Sequence, residues 1–376
     1  MKVSILQEKL KKGLSITERV SSKSLTLPIL NNTLISTNKN FLNLSATDLE
    51  IGINWWALSK IEKEGKIAVP SRLLLSFINL LPNSQIDLSV KENDLNIKCD
   101  NYETKIKGFS SEDFPLIPKV NKEDFVSIQG SGFCKSLAQL VDIVLPSTTR
   151  PEISGIYFKV QKDLLTIAAT DSFRLGEKKI SLAGEKKINQ EYSLIIPQKT
   201  IREIINIFGE KEKDLKIYFS PNQIMFEYLM EEASHPEVQV ISRLIEGEYP
   251  NYKEIIPSKF TTQLILNKEA FVNQIKSASL FSGKVNEVKF KTNSKKNEIE
   301  ILSQSIDIGD HKSSLLGKIE GDDLEISFNH KYLLDGLSNI KSSDVSLELS
   351  GDSGPGVLKP VGDDSYLYVV MPIKAS

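Results

Sequence analysis

The sequence predicts an α+β chain of three tandem, similar domains, each with two helices packed on antiparallel sheets. Three recurring pieces predict it: a strand that runs straight into a helix, an alternating strand that ends on an acidic or polar turn, and an amphipathic helix that opens each copy. They recur in the same order at a period of roughly 125 to 135 residues. That is far longer than the ~20 to 50 residues of a solenoid repeat, so each copy reads as a whole domain.

The strand-to-helix piece occurs at Lys66-Ile-Ala-Val-Pro70 into Arg72 to Leu81, at Ser193-Leu-Ile-Ile-Pro197 into Lys199 to Phe208, and at Leu324 to Asn329 into Lys331 to Ile340. Pro70 and Pro197 stand at a helix start, where the missing N–H costs nothing, and Asn329 brings a capping side chain to the same place. Upstream lie Leu42 to Asp48, Leu165 to Asp171 and Ile299 to Asp307, whose alternation reads as a strand. The opening helices are expected over Leu6 to Val20, Phe133 to Leu145 and Lys268 to Ser282. Proline-bearing joins at Asp113-Phe-Pro-Leu-Ile-Pro118 and Glu248 to Pro257 close the first two copies, giving expected domains 1–120, 121–250 and 251–376.

A chain of 376 residues exceeds what one core organises. The N-terminus lacks the apolar core of a signal peptide, and no run of about 18 apolar residues occurs, so a cytoplasmic protein away from membranes is expected. Cys99 and Cys134 are far apart and in unlike contexts, which offers neither a disulfide framework nor a Cys-x-x-Cys knuckle, and both are expected as buried thiols. Catalysis has little to build on. Asp48, Asp171 and Asp307 occupy equivalent places in separate copies and read as turn residues, while His235, His311 and His330 have no metal-ligand spacing. No phosphate loop, nucleophile elbow or His-Glu-x-x-His is present, so no catalytic residue, metal or cofactor is expected.

The net charge of −2 is unlike that of a typical nucleic-acid binder, yet the six expected helices together carry a positive excess. On the first, Lys9, Lys12 and Arg19 lie opposite the stripe Leu6, Leu10 and Leu14, as on a helix packed on a sheet and facing phosphate. Ordinary solvated lysines would give the same pattern.

Four strings, Thr26-Leu-Pro-Ile-Leu-Asn31, Ala169-Thr-Asp-Ser-Phe-Arg-Leu175, Glu246-Gly-Glu-Tyr-Pro-Asn-Tyr252 and Val369-Val-Met-Pro-Ile-Lys374, resemble those of the bacterial sliding clamps, the beta subunits of DNA polymerase III, in the same order. The resemblance spans essentially the whole chain. It implies the DNA clamp fold and a head-to-tail homodimer closing a ring around duplex DNA. It also implies a processivity factor that slides without reading sequence and tethers the replicative polymerase catalytic subunit. A clamp loader, and other DNA polymerases and repair proteins bound through short linear motifs, complete the implied partners. Twelve helices side by side at ~9 Å give a circle of axes about 34 Å across, and removing ~10 Å for helix thickness leaves about 24 Å for a duplex and a water layer. The rival reading is a repeat-domain scaffold that binds another polymer or a protein without encircling it.

By the same resemblance, a hydrophobic peptide groove is implied at Ile153, Thr170, Ser172, Phe173, Arg174, Leu175, Pro250, Val285, Asn329, Tyr332, Val369, Val370, Met371, Pro372 and Ile373. Taken by itself, Thr170 to Leu175 is a strand end and a turn in which Asp171 bonds backbone amides. Lys23 and Arg150 are implied as loop contacts to DNA, with Ser24 where a basic residue is common, and Arg72, Lys199 and Arg202 join Lys9, Lys12 and Arg19 on the DNA-facing helices. Glu254 stands where some relatives are basic. The subunit interface is implied at an edge strand around Thr104 and Ile106 and a helix end around Ser279 and Leu280, although Leu280 and Phe281 could equally be core residues.

Overall fold

The computed structural model describes residues 1–21 and 26–373. Lys23 and Ser24, and the tail from Lys374 to Ser376, lie outside the described residues. Two compact units form: Met1–Lys135 with Leu182–Leu244, and Ser136–Ser181 with Ile245–Ser376. Among the described residues there are six α-helices: α1 (Gln7–Thr17), α2 (Ser71–Leu80), α3 (Gly130–Ala138), α4 (Gln198–Phe208), α5 (Lys268–Ser279) and α6 (His330–Ser338).

In the first unit a five-stranded sheet runs in the order Lys60–Lys63, Lys2–Leu6, Gln85–Lys91, Asp94–Cys99, Tyr102–Lys107. A nine-stranded antiparallel sheet runs from Lys186–Lys187 through Phe125–Gln129, Asp214–Phe219, Gln223–Leu229 and Pro236–Arg243 to Ile51–Leu58, Phe41–Thr47, Asn32–Asn38 and Lys66–Pro70. It joins the first two repeats where Val240 pairs with Ile53 and Gln239 with Asn54. Strand alternation gives the Ile51–Leu58 strand two distinct faces. Trp55 points to α1, where it fills the space over Gly13, while Gly52 lies under Ile117 of the first proline-bearing join.

The second unit repeats this plan. One sheet contains Gly155–Val160, Leu164–Thr170, Arg174–Ser181, Tyr366–Val370, Gly356–Pro360, Asp344–Leu349, Thr262–Asn267 and Lys318–Gly321 in that order. The other runs Gly309–Leu316, Glu298–Ser305, Glu287–Asn293, Glu325–Asn329. Leu175 pairs with Val369 and Gly176 with Tyr368, the counterpart of the junction in the first unit.

Five of the six helices start within one residue of the sequence expectation, with Pro70 and Pro197 as N-caps of α2 and α4 and Asn329 accepting a hydrogen bond from the Lys331 N–H, whereas α3 starts at Gly130 rather than Phe133. Helix α4 ends at Phe208 as expected, but the other ends are shorter than periodicity predicts. The third helix stops at Ala138 rather than Leu145, and Leu140 and Ile143 continue in tighter turns, donating to Leu137 and Leu140 carbonyls. Two causes are visible. Leu140 and Ile143 close over Gly176, and Pro146 disfavours helix at the residue before it. The opening helix of the first copy likewise ends at Thr17, whose hydroxyl bonds back to the Gly13 carbonyl, and that of the third ends at Ser279, bonded to Lys276.

Candidate functional site: a peptide groove and the cationic helix faces

The Thr170-to-Arg174 turn is built by its own side chains. Asp171 Oδ1 accepts from the Phe173 and Arg174 N–H groups at 2.9 and 3.0 Å, and the Thr170 hydroxyl donates to the Arg174 carbonyl at 2.8 Å. The first repeat makes the same turn: Asp48 Oδ1 accepts from Glu50 and Ile51, and Thr47 donates to the Ile51 carbonyl. Leu49 and Ser172 both take the left-handed backbone at φ 78°. These aspartates are therefore turn residues, as the sequence suggests. Asp307 departs, falling beyond the Glu298–Ser305 strand in the hairpin that leads to Gly309–Leu316.

The turn in the second repeat holds Arg174 at the centre of the residues expected to form a groove. Its guanidinium bonds Asp171 at 2.9 Å, Asp335 of α6 at 2.5 Å and the Asp142 carbonyl at 3.1 Å, and it lies 4.9 Å from the Tyr332 ring centroid. Phe173 stacks on Tyr332 at 6.3 Å while remaining 61% exposed. The chain end is zipped alongside: the Met371 N–H donates to the Phe173 carbonyl and the Ile373 N–H to the Ser327 carbonyl. Thr170, Ser172, Phe173, Arg174, Leu175, Tyr332, Val369, Val370, Met371 and Ile373 are thus brought together. Ile153 is buried at the foot of the loop whose Arg150 reaches Ser172 at 3.1 Å. Asn329 caps α6, Pro250 accepts from Tyr252 through its carbonyl, and Val285 is 62% exposed. His330, which opens α6, is buried, and desolvation followed by the neighbouring Lys331 charge lowers its pKa, so its ring is neutral at pH 7.

Asp335, the Asp142 carbonyl and Ser327 were not anticipated. Asp335 had a signal, one helical turn beyond Tyr332 on the same face, whereas a backbone carbonyl 32 residues away from Arg174 leaves none.

The cations expected to face DNA are exposed but engaged. In the first unit Lys9 pairs with Glu232, Lys12 with Glu237 at 2.5 Å, Arg19 with Glu203, Arg72 with Glu18 and Lys199 with Asp48. Arg150 pairs with Glu152 in the second unit. Arg202 is exposed on α4. The carboxylates are mostly half-buried or buried, Asp48 at 7% and Glu237 at 13%, so only Lys9 with Glu232 is an exposed pair of the kind that contributes about 0 to 1 kcal/mol and that a phosphate can replace at small cost. At the expected interface, Tyr102–Lys107 is the outermost strand of its sheet, and Leu280 is 71% exposed, which rules out a core role for it.

Residues 1–118, 128–251 and 253–374 match the family models for the N-terminal, central and C-terminal domains of the DNA polymerase III beta subunit. The beta sliding clamp of Staphylococcus aureus strain N315 is 31% identical over 373 residues, covering 96% of each chain. The chain belongs to the bacterial sliding clamp family. That makes it a DNA polymerase processivity factor acting in DNA replication. The Staphylococcus epidermidis clamp is equally similar, at 31% identity and 96% coverage. Among solved structures, the sliding clamp of Bacillus subtilis superposes with a TM-score of 0.93 at 26% identity, both chains covered in full. A Pseudomonas aeruginosa clamp bound to griselimycin gives 0.92 at 23% identity, again over the whole of both chains, and supports the fold.

Proposed function

We propose that two copies of this chain close head to tail into a ring that encircles duplex DNA, slides on it without reading sequence, and tethers enzymes through the groove around Arg174. The observation that supports the reading is a clamp-family chain in which the exposed apolar side chains of Phe173 and Met371 are held side by side by the bond from the Met371 N–H to the Phe173 carbonyl, next to the Arg174 turn. The exposed Phe173 and Met371 would give area-driven affinity, Met371 would adapt to differing side chains, and the polar groups of the Arg174 turn would orient the peptide. The replicative polymerase subunit, the clamp loader and other polymerases and repair proteins would share this groove in turn. The domains would divide at 1–120, 121–250 and 251–376.

Phosphate contact would come from Lys9, Lys12, Arg19, Lys23, Arg72, Arg150, Lys199 and Arg202. Such attraction is sequence-independent and salt-sensitive, which suits sliding. Subunit closure would use the open sheet edges Tyr102–Lys107 and Gly309–Leu316, with Thr104 and the backbone of Ile106, whose side chain is buried, on one side and Ser279 and Leu280 on the other. The chain would work in the cytoplasm and perform no chemistry of its own. Among the described residues no helix is long and apolar enough to cross a membrane, and no acidic, histidine or cysteine cluster could hold a metal.

Encirclement has a topological test. Loaded onto a nicked circular plasmid, the protein should survive a salt wash that strips simple electrostatic binders and should leave once the circle is linearised. Loss from intact circles at the rate seen on linear DNA would favour the non-encircling scaffold.

A further inference from the structure

The first proline-bearing join does not fill the sheet face it crosses. Between residues 111–120 and the nine-stranded sheet of the first unit lies a cavity of about 800 Å³. Its floor is a polar row set by strand register, Ser45 beside Asn54 and Asn54 beside Gln239. Trp56, Met225 and Ile241 flank that row, and Phe114 and Ile117 form the wall. Trp55 faces α1, so by alternation Asn54 and Trp56 face the opposite way, and the cavity opens on the sheet face away from that helix.

The second junction supplies an internal control. One repeat on, the row reads Tyr157, Ala168, Glu177 and Leu367. There the join packs Tyr249 against Tyr157 at 4.9 Å, and the Tyr252 hydroxyl donates to the buried Glu177 carboxylate at 2.6 Å. Three mutually packed tyrosines fill the face. In the first junction the corresponding residues are Leu34 for Tyr157, Asn54 for Glu177 and Ile117 for Tyr252. Each exchange removes volume, and the hydroxyl-to-carboxylate bond that would draw the join down is gone.

The mouth of this cavity has a chemical bias. Lys66 and Lys119 line it, with Glu112 as the acid there, while Lys122 is held at 2.5 Å by the buried Glu227. On the rim, Leu116 of the join is 95% exposed, an apolar side chain that nothing among the described residues covers. A volume of this size lies within the ~300 to 1,000 Å³ range of ligand pockets.

We propose that this cavity at the first junction is a second docking site, for a short linear peptide that combines apolar and acidic side chains. Apolar side chains of the peptide sit against Trp56, Ile117 and Leu116, its acidic group faces Lys66 and Lys119, and the Asn54 amide nitrogen and Gln239 amide oxygen, left over from the Ser45–Asn54 and Gln239–Glu227 bonds, meet its backbone. The site is separate from the Arg174 groove, so one chain can hold two peptides at once.

The probe is a library of seven-residue peptides built from Asp, Glu, Leu, Phe, Pro and Gly. Selection is on the full chain carrying Met371→Asp, which blocks the groove, and affinity is read by fluorescence anisotropy. Selected peptides should bind with dissociation constants of tens of micromolar, on the order of −6 kcal/mol. The pair Asn54→Glu with Ile117→Tyr transplants the filling of the second junction and should weaken binding about tenfold, and Lys119→Glu about threefold. Restoring Met371 should change nothing. Should the transplant fail to fold, Lys119→Glu, on an exposed side chain, still decides. An empty selection overturns the proposal, and so do peptides whose affinity ignores both the transplant and the charge reversal.

Discussion

Replacing Arg174 by alanine separates the structural role of the groove hub from its surface role. The side chain is 7% exposed and bonds two carboxylates of very different burial: Asp171 at 2% and Asp335 at 58%. Without Arg174, the Asp171 carboxylate keeps its two backbone N–H donors but loses its counter-charge in a buried place. Breaking such a pair from one side costs about 3 to 5 kcal/mol. Asp335→Ala removes a half-solvated partner and should cost less than about 1 kcal/mol. The effect should be confined to the second unit, so a single two-state transition is not expected. Urea unfolding followed by circular dichroism should show an early phase in Arg174→Ala. Hydrogen exchange should accelerate in Arg174–Ser181 and Tyr366–Val370. Tryptophan fluorescence reports Trp55 and Trp56 in the first unit, and its midpoint should not move. Equal costs for the two variants, or a loss below about 1 kcal/mol in Arg174→Ala, would refute the assignment of Asp171 as the partner that matters.

Gly13→Ala should destabilise the first unit by about 1 to 3 kcal/mol or more, because the added carbon would stand 2.3 Å from the Trp55 ring; an unchanged tryptophan-fluorescence midpoint would contradict the packing. Burial pushes the Cys134 thiol up to about 12, and burial followed by Asp100 and Asp87 raises that of Cys99. A raised pKa leaves the thiol protonated at pH 8, so an aromatic disulfide reagent should titrate neither cysteine in the native chain and both after unfolding. Rapid native labelling at pH 8 would contradict that burial. Leu280→Asp should yield monomers by sedimentation, and a persistent dimer would move the subunit contact elsewhere.

How far the sequence reached depends on the range of the interaction. The threefold plan was legible because the strand-to-helix pieces at Pro70, Pro197 and Asn329 are local patterns, written in side-chain alternation and caps. The turns at Asp48 and Asp171 were legible for the same reason, since their hydrogen bonds close within three residues. Helix ends were misjudged where tertiary packing intervenes, as at Leu140 and Ile143 over Gly176. The groove strings were readable only through their likeness to a family, because apolar strand ends look alike whether they line a groove or a core.

Other features belong to the tertiary structure alone. Arg174 meets Asp335 across 161 residues, and Lys199 meets Asp48 across 151, pairings that no local pattern encodes. They arise because antiparallel registry carries the last strand of the second and third repeats onto the sheet of the repeat before it. The cavity at the first junction has the same origin: Leu34, Asn54 and Ile117 are unremarkable along the chain, and only strand register makes them neighbours over a space that three tyrosines fill one repeat later. Sequence alone determined three related domains and the starts of five of the six helices. Folding decided which charges pair and which junction stays open, because those outcomes depend on side chains meeting across sheets rather than along them.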